Sequence, residues 1–157
     1  MGEGMLTQLE QSKKRWGGQN KVIDNWLKER QLLLVAYCEL IGMPQKEEHN
    51  HSLPSQQDLT RFCQILMDYL SAGHFEIFTN IVAECNEKGP DDKRQADTIF
   101  PKLNDSTDLA LQFNDKYAEM PVDDLPDNFD IELSALGRAL EDRFSLEDQL
   151  LDMLVHY

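Results

Sequence analysis

Between Asn20 and Ile41 the apolar residues fall into two parallel stripes, and no other feature of the chain limits its fold as much. Val22, Trp26, Leu33, Tyr37 and Leu40 make one stripe at helical spacing, and Ile23, Leu27, Leu34, Cys38 and Ile41 make a second beside it. A helix on a protein surface needs one such stripe. Two adjacent stripes demand an inner helix, covered along a wide face by other helices. Gly42 and then Pro44 follow the last apolar residue in the order that stops a helix.

The rest of the chain supplies the helices to cover it. Ser55 reads as the N-cap of a helix with Leu59, Phe62, Leu66 and Tyr69 in line, flanked by Cys63, Ile65 and Leu70. Beyond a small-residue stretch, Phe75, Phe78, Ile81, Val82 and Cys85 keep helical spacing as far as Gly89-Pro90. Another helix is expected to start among Asp91 to Gln95 and to run through Leu103, Leu109, Phe113 and Tyr117. Pro101 should kink or restart it, because proline lacks a backbone donor and clashes one turn back. The last helix carries Leu133, Leu136, Leu140, Phe144, Leu151 and Leu154, with a capping-box-like point of bending at Ser145 to Asp148. Leu6 to Trp16 reads as a short helix ended by Gly17-Gly18, while Gln45 to Pro54 and the acidic stretch Val122 to Asp130 read as loops.

No segment alternates β-branched residues, and no repeat occurs. The predicted fold is all-α: one up-and-down helical bundle over residues 5–157, with four long helical stretches, two of them interrupted, and a short N-terminal helix. Met1 to Gly4 reads as an extension upstream of a start at Met5.

Charge narrows the class of partner. The chain carries 15 basic and 29 acidic residues for a net charge of −14, and residues 89–157 hold 17 of the acids and only 6 of the bases. Such a surface repels nucleic acid and anionic lipid, and favours a basic protein, including a DNA-binding protein caught off its DNA. No apolar run approaches the roughly 18–20 residues of a membrane span, and the polar N-terminus is unlike a signal peptide, so a cytoplasmic protein is expected.

Catalytic patterns are missing from the sequence. There is no phosphate-binding glycine loop, Gly-x-Ser-x-Gly, zinc spacing or dinucleotide fingerprint. Cys38, Cys63 and Cys85 lie on apolar helical faces and read as small core residues, which disfavours a nucleophile–base pair of Cys63 or Cys85 with His74. Glu48 and His51 have the i,i+3 spacing of half a carboxylate-bridged di-metal site, but no second Glu-x-x-His completes one. No enzyme, cofactor or metal site is expected. A helical-bundle metalloenzyme and a self-associating helical scaffold are the alternatives.

Four polar residues interrupt the apolar stripes or the bend: Arg30, Asp68, His74 and Glu147. A charge in an apolar stripe must be paired or must open into a cleft. Two readings therefore stand, a buried network that fixes helix register and a groove that receives a partner helix. Trp26, Tyr37, Tyr69 and Phe75 are aromatics of the kind that dominate such grooves. The octapeptide Asp68-Tyr69-Leu70-Ser71-Ala72-Gly73-His74-Phe75 reads as a bend, since glycine inside a helix costs about 1 kcal/mol against alanine.

That octapeptide, preceded by Phe62-Cys63-Gln64, resembles the signature of the Rsd/AlgQ family, the regulators of sigma D. Trp26-Leu27 … Arg30 … Leu33-Leu34-Val35-Ala36-Tyr37, Phe100-Pro101 and Ala139-Leu140-Glu141 … Arg143-Phe144 … Leu146-Glu147-Asp148 resemble it too, so the likeness spans Met5 to Leu154. The loops 45–54 and 120–130 depart from the pattern. The resemblance implies a non-enzymatic anti-sigma factor that holds region four of the primary sigma factor, a basic helix-turn-helix module. It implies Asp68, Tyr69, Ser71, His74 and Phe75 as partner-facing residues, together with Trp26 and Arg30. A sugar-transport phosphocarrier protein is a further partner implied by relatives, with no direct nucleic-acid or membrane contact.

Overall fold

The doubly striped segment forms helix α1, Lys21–Ile41, and its two stripes are both covered: Ile23, Trp26, Leu27, Leu33, Leu34, Tyr37 and Leu40 are buried. A computed structural model describes residues 5, 7, 9, 10, 21–41, 54–73, 78 and 90–155 of the 157-residue chain. Helix α2 spans Gln56–Ala72, α3 Pro90–Tyr117 and α4 Phe129–Val155, with one turn of 3-10 helix at Val122–Asp124. Among the described residues there is no strand. Of the short N-terminal helix, only residues 5, 7, 9 and 10 fall within the described set; they are helical, and Met5 and Leu9 are buried in the core. The polar segment 45–53 lies outside it.

Contacts between helices set the topology. On α1 and α2, Glu39 meets Arg61, Tyr37 meets Phe62 and Arg30 meets Tyr69, so one helix descends as the other rises. On α3 and α4, Lys116 meets Glu132 and Ser106 meets Arg143 in the same sense. Phe62 meets Phe113 between α2 and α3, and Arg30 meets Glu147 between α1 and α4. The result is an up-and-down four-helix bundle, closest between α1 and α2 and between α3 and α4.

Local chemistry sets the ends. Ser55 caps α2 as expected, with extended backbone and its hydroxyl accepting from the Asp58 amide at 3.0 Å. The side-chain amide of Gln56 then reaches the link between α3 and α4: its nitrogen donates to the Met120 carbonyl at 3.2 Å and its oxygen accepts from the Val122 amide at 3.0 Å.

Two expected points of interruption lie within continuous helices. Helix α3 runs unbroken through Pro101, which is exposed, as is Asp97 one turn earlier. The hydrogen bond that proline forfeits is therefore on a face that water reaches, where the freed carbonyl has a substitute partner. Helix α4 is continuous through Ser145 to Asp148, where Glu147 is held inward by ionic partners.

Candidate functional site

The octapeptide is only partly a bend. Helix α2 continues through Ser71 and Ala72, and Gly73 keeps right-handed helical angles, φ −58° and ψ −48°, with its amide shared between the Leu70 and Tyr69 carbonyls. At Gly73 and at Phe78 the hydrogen bonding widens to the π pattern. Glycine is favoured here by closeness, not by backbone angle. A Cβ at Gly73 would stand 3.2 Å from Trp26 Nε1 and 3.3 Å from its ring.

Trp26 is fixed from three sides. Its indole stacks on Tyr69 with centroids 5.4 Å apart and planes 9° from parallel, and meets Phe78 edge-on at 6.0 Å. Among the described residues no group accepts from its buried Nε1. The Arg30 guanidinium lies between the Trp26 and Phe144 rings, 5.3 and 4.9 Å from their centroids.

Around that guanidinium all four helices converge on one hydrogen-bonded cluster. Arg30 donates from Nε to Tyr69 Oη at 3.1 Å, from Nη1 to Asp148 Oδ1 at 2.9 Å and from Nη2 to Glu147 Oε1 at 3.3 Å. Tyr69 Oη donates to Glu147 Oε1 at 2.5 Å. Arg143 donates from Nε to Glu147 Oε2 at 2.9 Å, and its Nη1 contacts the Leu103 carbonyl, Ser106 Oγ and Thr107 Oγ1 at 3.0, 2.9 and 2.7 Å. Two arginines face two carboxylates, so the cluster is close to neutral. Arg30, Arg143 and Glu147 are buried, while Asp148 keeps a narrow opening to solvent.

Electrostatics follow from that geometry. For Arg30, burial works against the charge, but Tyr69, Glu147 and Asp148 outweigh it and hold the guanidinium above its ordinary value. Burial pushes the Glu147 carboxyl up, against the pull of Arg143, Arg30 and the Tyr69 hydroxyl. Burial, reinforced by Glu147, lifts the Tyr69 phenol well above the usual tyrosine value. The burial of Cys63 pushes its thiol up to about 11, away from nucleophilic use.

The residues singled out from the sequence thus divide. Arg30 and Glu147 come together in the cluster, with Tyr69 and Trp26 packed against it, and all four are buried. Asp68 and Ser71 point the other way, exposed on the outer face of α2. Asp68 makes no ion pair among the described residues. The antiparallel register of α1 and α2 brings Leu32 level with Asp68 and Val35 level with Gln64, and both aliphatic side chains are exposed. His74 and Phe75 lie outside the described residues, as do Glu48, His51 and Cys85. Among the described residues no group of three or more His, Cys, Asp or Glu side chains is placed to hold a metal ion, and no helix is long and apolar enough to cross a membrane.

Sequence reasoning missed Arg143, Asp148, Ser106 and Thr107 as members of the cluster. A signal existed for one of them: Arg143 stands four residues before Glu147, the spacing of an ion pair on one helical face. Ser106 and Thr107 gave none, since a hydroxyl in a helix more often returns to its own backbone, as both also do to the Leu103 carbonyl.

The chain is similar to known proteins along nearly its whole length. The family model described as "Regulator of RNA polymerase sigma(70) subunit, Rsd/AlgQ" matches residues 5–155. The chain is 40% identical over 149 residues to the Regulator of sigma D of Yersinia pseudotuberculosis, covering 94% of this chain and 87% of that protein. It is 39% identical over 149 residues to its namesake in Yersinia enterocolitica, covering 94% and 88%. To that of an Enterobacter species it is 41% identical over 150 residues, again covering 94% and 88%.

Proposed function

The chain belongs to the Rsd/AlgQ family, and from that premise we propose that it is a non-enzymatic cytoplasmic anti-sigma factor that binds region four of the primary sigma factor. Region four is a basic helical module. While it is held it contacts neither the −35 promoter element nor the polymerase surface that seats it, which leaves core enzyme open to other sigma factors.

The observation that carries this reading is the outer face of α2. Asp68 is an exposed carboxylate with no ion pair among the described residues, one turn from exposed Ser71 and, by the register of α1 and α2, level with the aliphatic Leu32. Its neighbour Tyr69 is locked into the buried cluster, so the carboxylate stands on a platform with little freedom to retreat. A pre-set acid beside aliphatic anchors suits a basic helix, with charge steering the encounter and apolar burial setting the lifetime. In this reading Asp68, Ser71, His74 and Phe75 face the partner, while Trp26, Arg30 and Tyr69 hold the surface from beneath. The acidic 89–157 half adds long-range attraction.

Titration calorimetry with isolated sigma region four tests it. Asp68→Ala should weaken binding by tenfold or more, as loss of one partner of an interfacial charge pair costs about 2 kcal/mol or more. Wild-type affinity should also fall as salt rises. Unchanged affinity in a folded Asp68→Ala protein overturns the placement of the surface, and no binding by the wild type overturns the function.

A further inference from the structure

On the other side of the bundle, α3 and α4 enclose a channel that the α2 surface does not touch. Two hollows compose it. One, of about 520 Å³, is lined by Lys102, Asp105, Leu109, Ala139, Asp142 and Leu146, above the Ser106–Arg143 hydrogen bond. The other, of about 330 Å³, continues past Leu109 to Gln112, Lys116, Glu132 and Ala135. From Lys102 to Lys116 the channel follows α3 for about 21 Å at 1.5 Å per residue, the length of four helical turns.

Its shape has a sequence cause. Ala135 and Ala139, one turn apart on α4, present methyl groups where larger side chains would fill the space, and Leu109 forms the opposite wall. The aliphatic row extends to Leu146 in one direction and, one turn before Ala135, to Ile131, which is 69% exposed. A mostly apolar trough with aliphatic side chains left in water is the form that receives an amphipathic helix.

Charge identifies what kind. The Lys116 ammonium is taken up by Glu132 at 2.8 Å, and Arg143 by Glu147. Asp105 and Asp142 stand level with each other on opposite rims, both exposed and neither in an ion pair among the described residues. Lys102 sits at the end of the channel. Asp97, Asp108 and Asp115 follow along the exposed side of α3 with no base between them on that face. A cation crossing the middle of the channel would be bracketed by two carboxylates. A second copy of this chain would instead bring its own net charge of −14.

We propose that the α3–α4 channel is a docking site for one amphipathic helix of a basic protein partner, separate from the surface proposed for sigma region four. Aliphatic side chains of that helix rest on Ala135 and Ala139 against Leu109, and a lysine or arginine spans Asp105 and Asp142.

The test uses the full chain, isotope-labelled for NMR, and a 14-residue helical peptide with leucines on one face and lysines on its flanks. A second peptide carries glutamate in place of each lysine. Expected are shift changes centred on Leu109, Ala135, Ala139 and Leu146 with the lysine peptide alone. Ala139→Trp, which fills the channel, should weaken binding at least tenfold, and the exposed pair Asp105→Lys with Asp142→Lys should do so without touching the core. Asp68→Ala should leave peptide affinity within twofold. Shift changes centred on α1 and α2, equal binding of the glutamate peptide, or unaltered affinity in the Asp105→Lys/Asp142→Lys protein overturn the proposal. So does a concentration-dependent dimer of the free protein that Ala139→Trp abolishes, since the occupant is then a second copy. Region four binding, run in parallel, should be indifferent to Ala139→Trp; its loss would merge the two surfaces and overturn their separation.

Discussion

Two levels of the same four helices are held together by opposite means. At one level, Arg30, Tyr69, Glu147 and Arg143 fill the interior with ions and directed hydrogen bonds. Seven residues along α1, about 10 Å away, Tyr37, Phe62, Phe113, Tyr117 and Phe129 fill it with rings, each pair 4.8–6.0 Å apart. Ring contacts at the aromatic level prefer offset or edge-on angles, but a small slide there separates no ion from its partner. The ionic level has no such latitude, since Arg30, Tyr69 and Nη1 of Arg143 each have particular acceptors on another helix. The candidate partner surface on α2 is built against the level that cannot slide.

The comparison breaks most sharply at Glu147. Glu147→Ala strips the shared acceptor from two buried arginines and should cost about 3–5 kcal/mol, read as a fall in the urea midpoint with loss of tertiary dispersion in NMR spectra. At the aromatic level, Phe113→Leu keeps an apolar group of similar size and should cost about 1–2 kcal/mol. Its spectra should stay dispersed and its Tm fall by about 2–4 °C per kcal/mol. If both variants lose dispersion alike, the two levels do not differ in kind.

Gly73→Ala probes the edge of the ionic level. Helix propensity favours alanine by about 1 kcal/mol, but the new methyl meets an indole that Tyr69 and Phe78 hold in place. Overpacking of about 1–3 kcal/mol should win, giving a net loss of about 1 kcal/mol by chemical denaturation. A more stable variant would show that Trp26 is free to yield.

The smallest effect concerns pH. Burial raises the folded-state pKa of Glu147 above its ordinary value of 4.5, so as pH falls the folded protein takes up this proton before the unfolded chain does. The stability it contributes is present in full below 4.5 and is lost as pH rises through the raised value. Urea midpoints across that window should show the wild type gaining on Glu147→Gln as pH falls. A constant difference between the two would mean that Glu147 titrates alike folded and unfolded.

Much of this was legible in the sequence because it is periodic. The doubled stripe of α1, the Ser55 cap and the charge interruptions at Arg30 and Glu147 all map onto what the helices do. Asp68 was grouped with those interruptions because the pattern marks a polar residue near a stripe without saying which side it takes. In the bundle it lies outside the core and Arg30 inside it. At Pro101 the helix does not restart, since the cost of proline depends on whether water reaches the freed carbonyl, which a linear pattern does not record. Gly73 was attributed to bending when its cause is an indole forty-seven positions away in sequence, and tertiary proximity of that kind leaves no local trace.

One small contact has a wider mechanical result. With both ends of its amide engaged, Gln56 acts as a latch between the α1–α2 hairpin and the acidic crossover of the other hairpin. At that end any shear of one hairpin past the other has to part both bonds together, which couples the two hairpins at the first turn of α2.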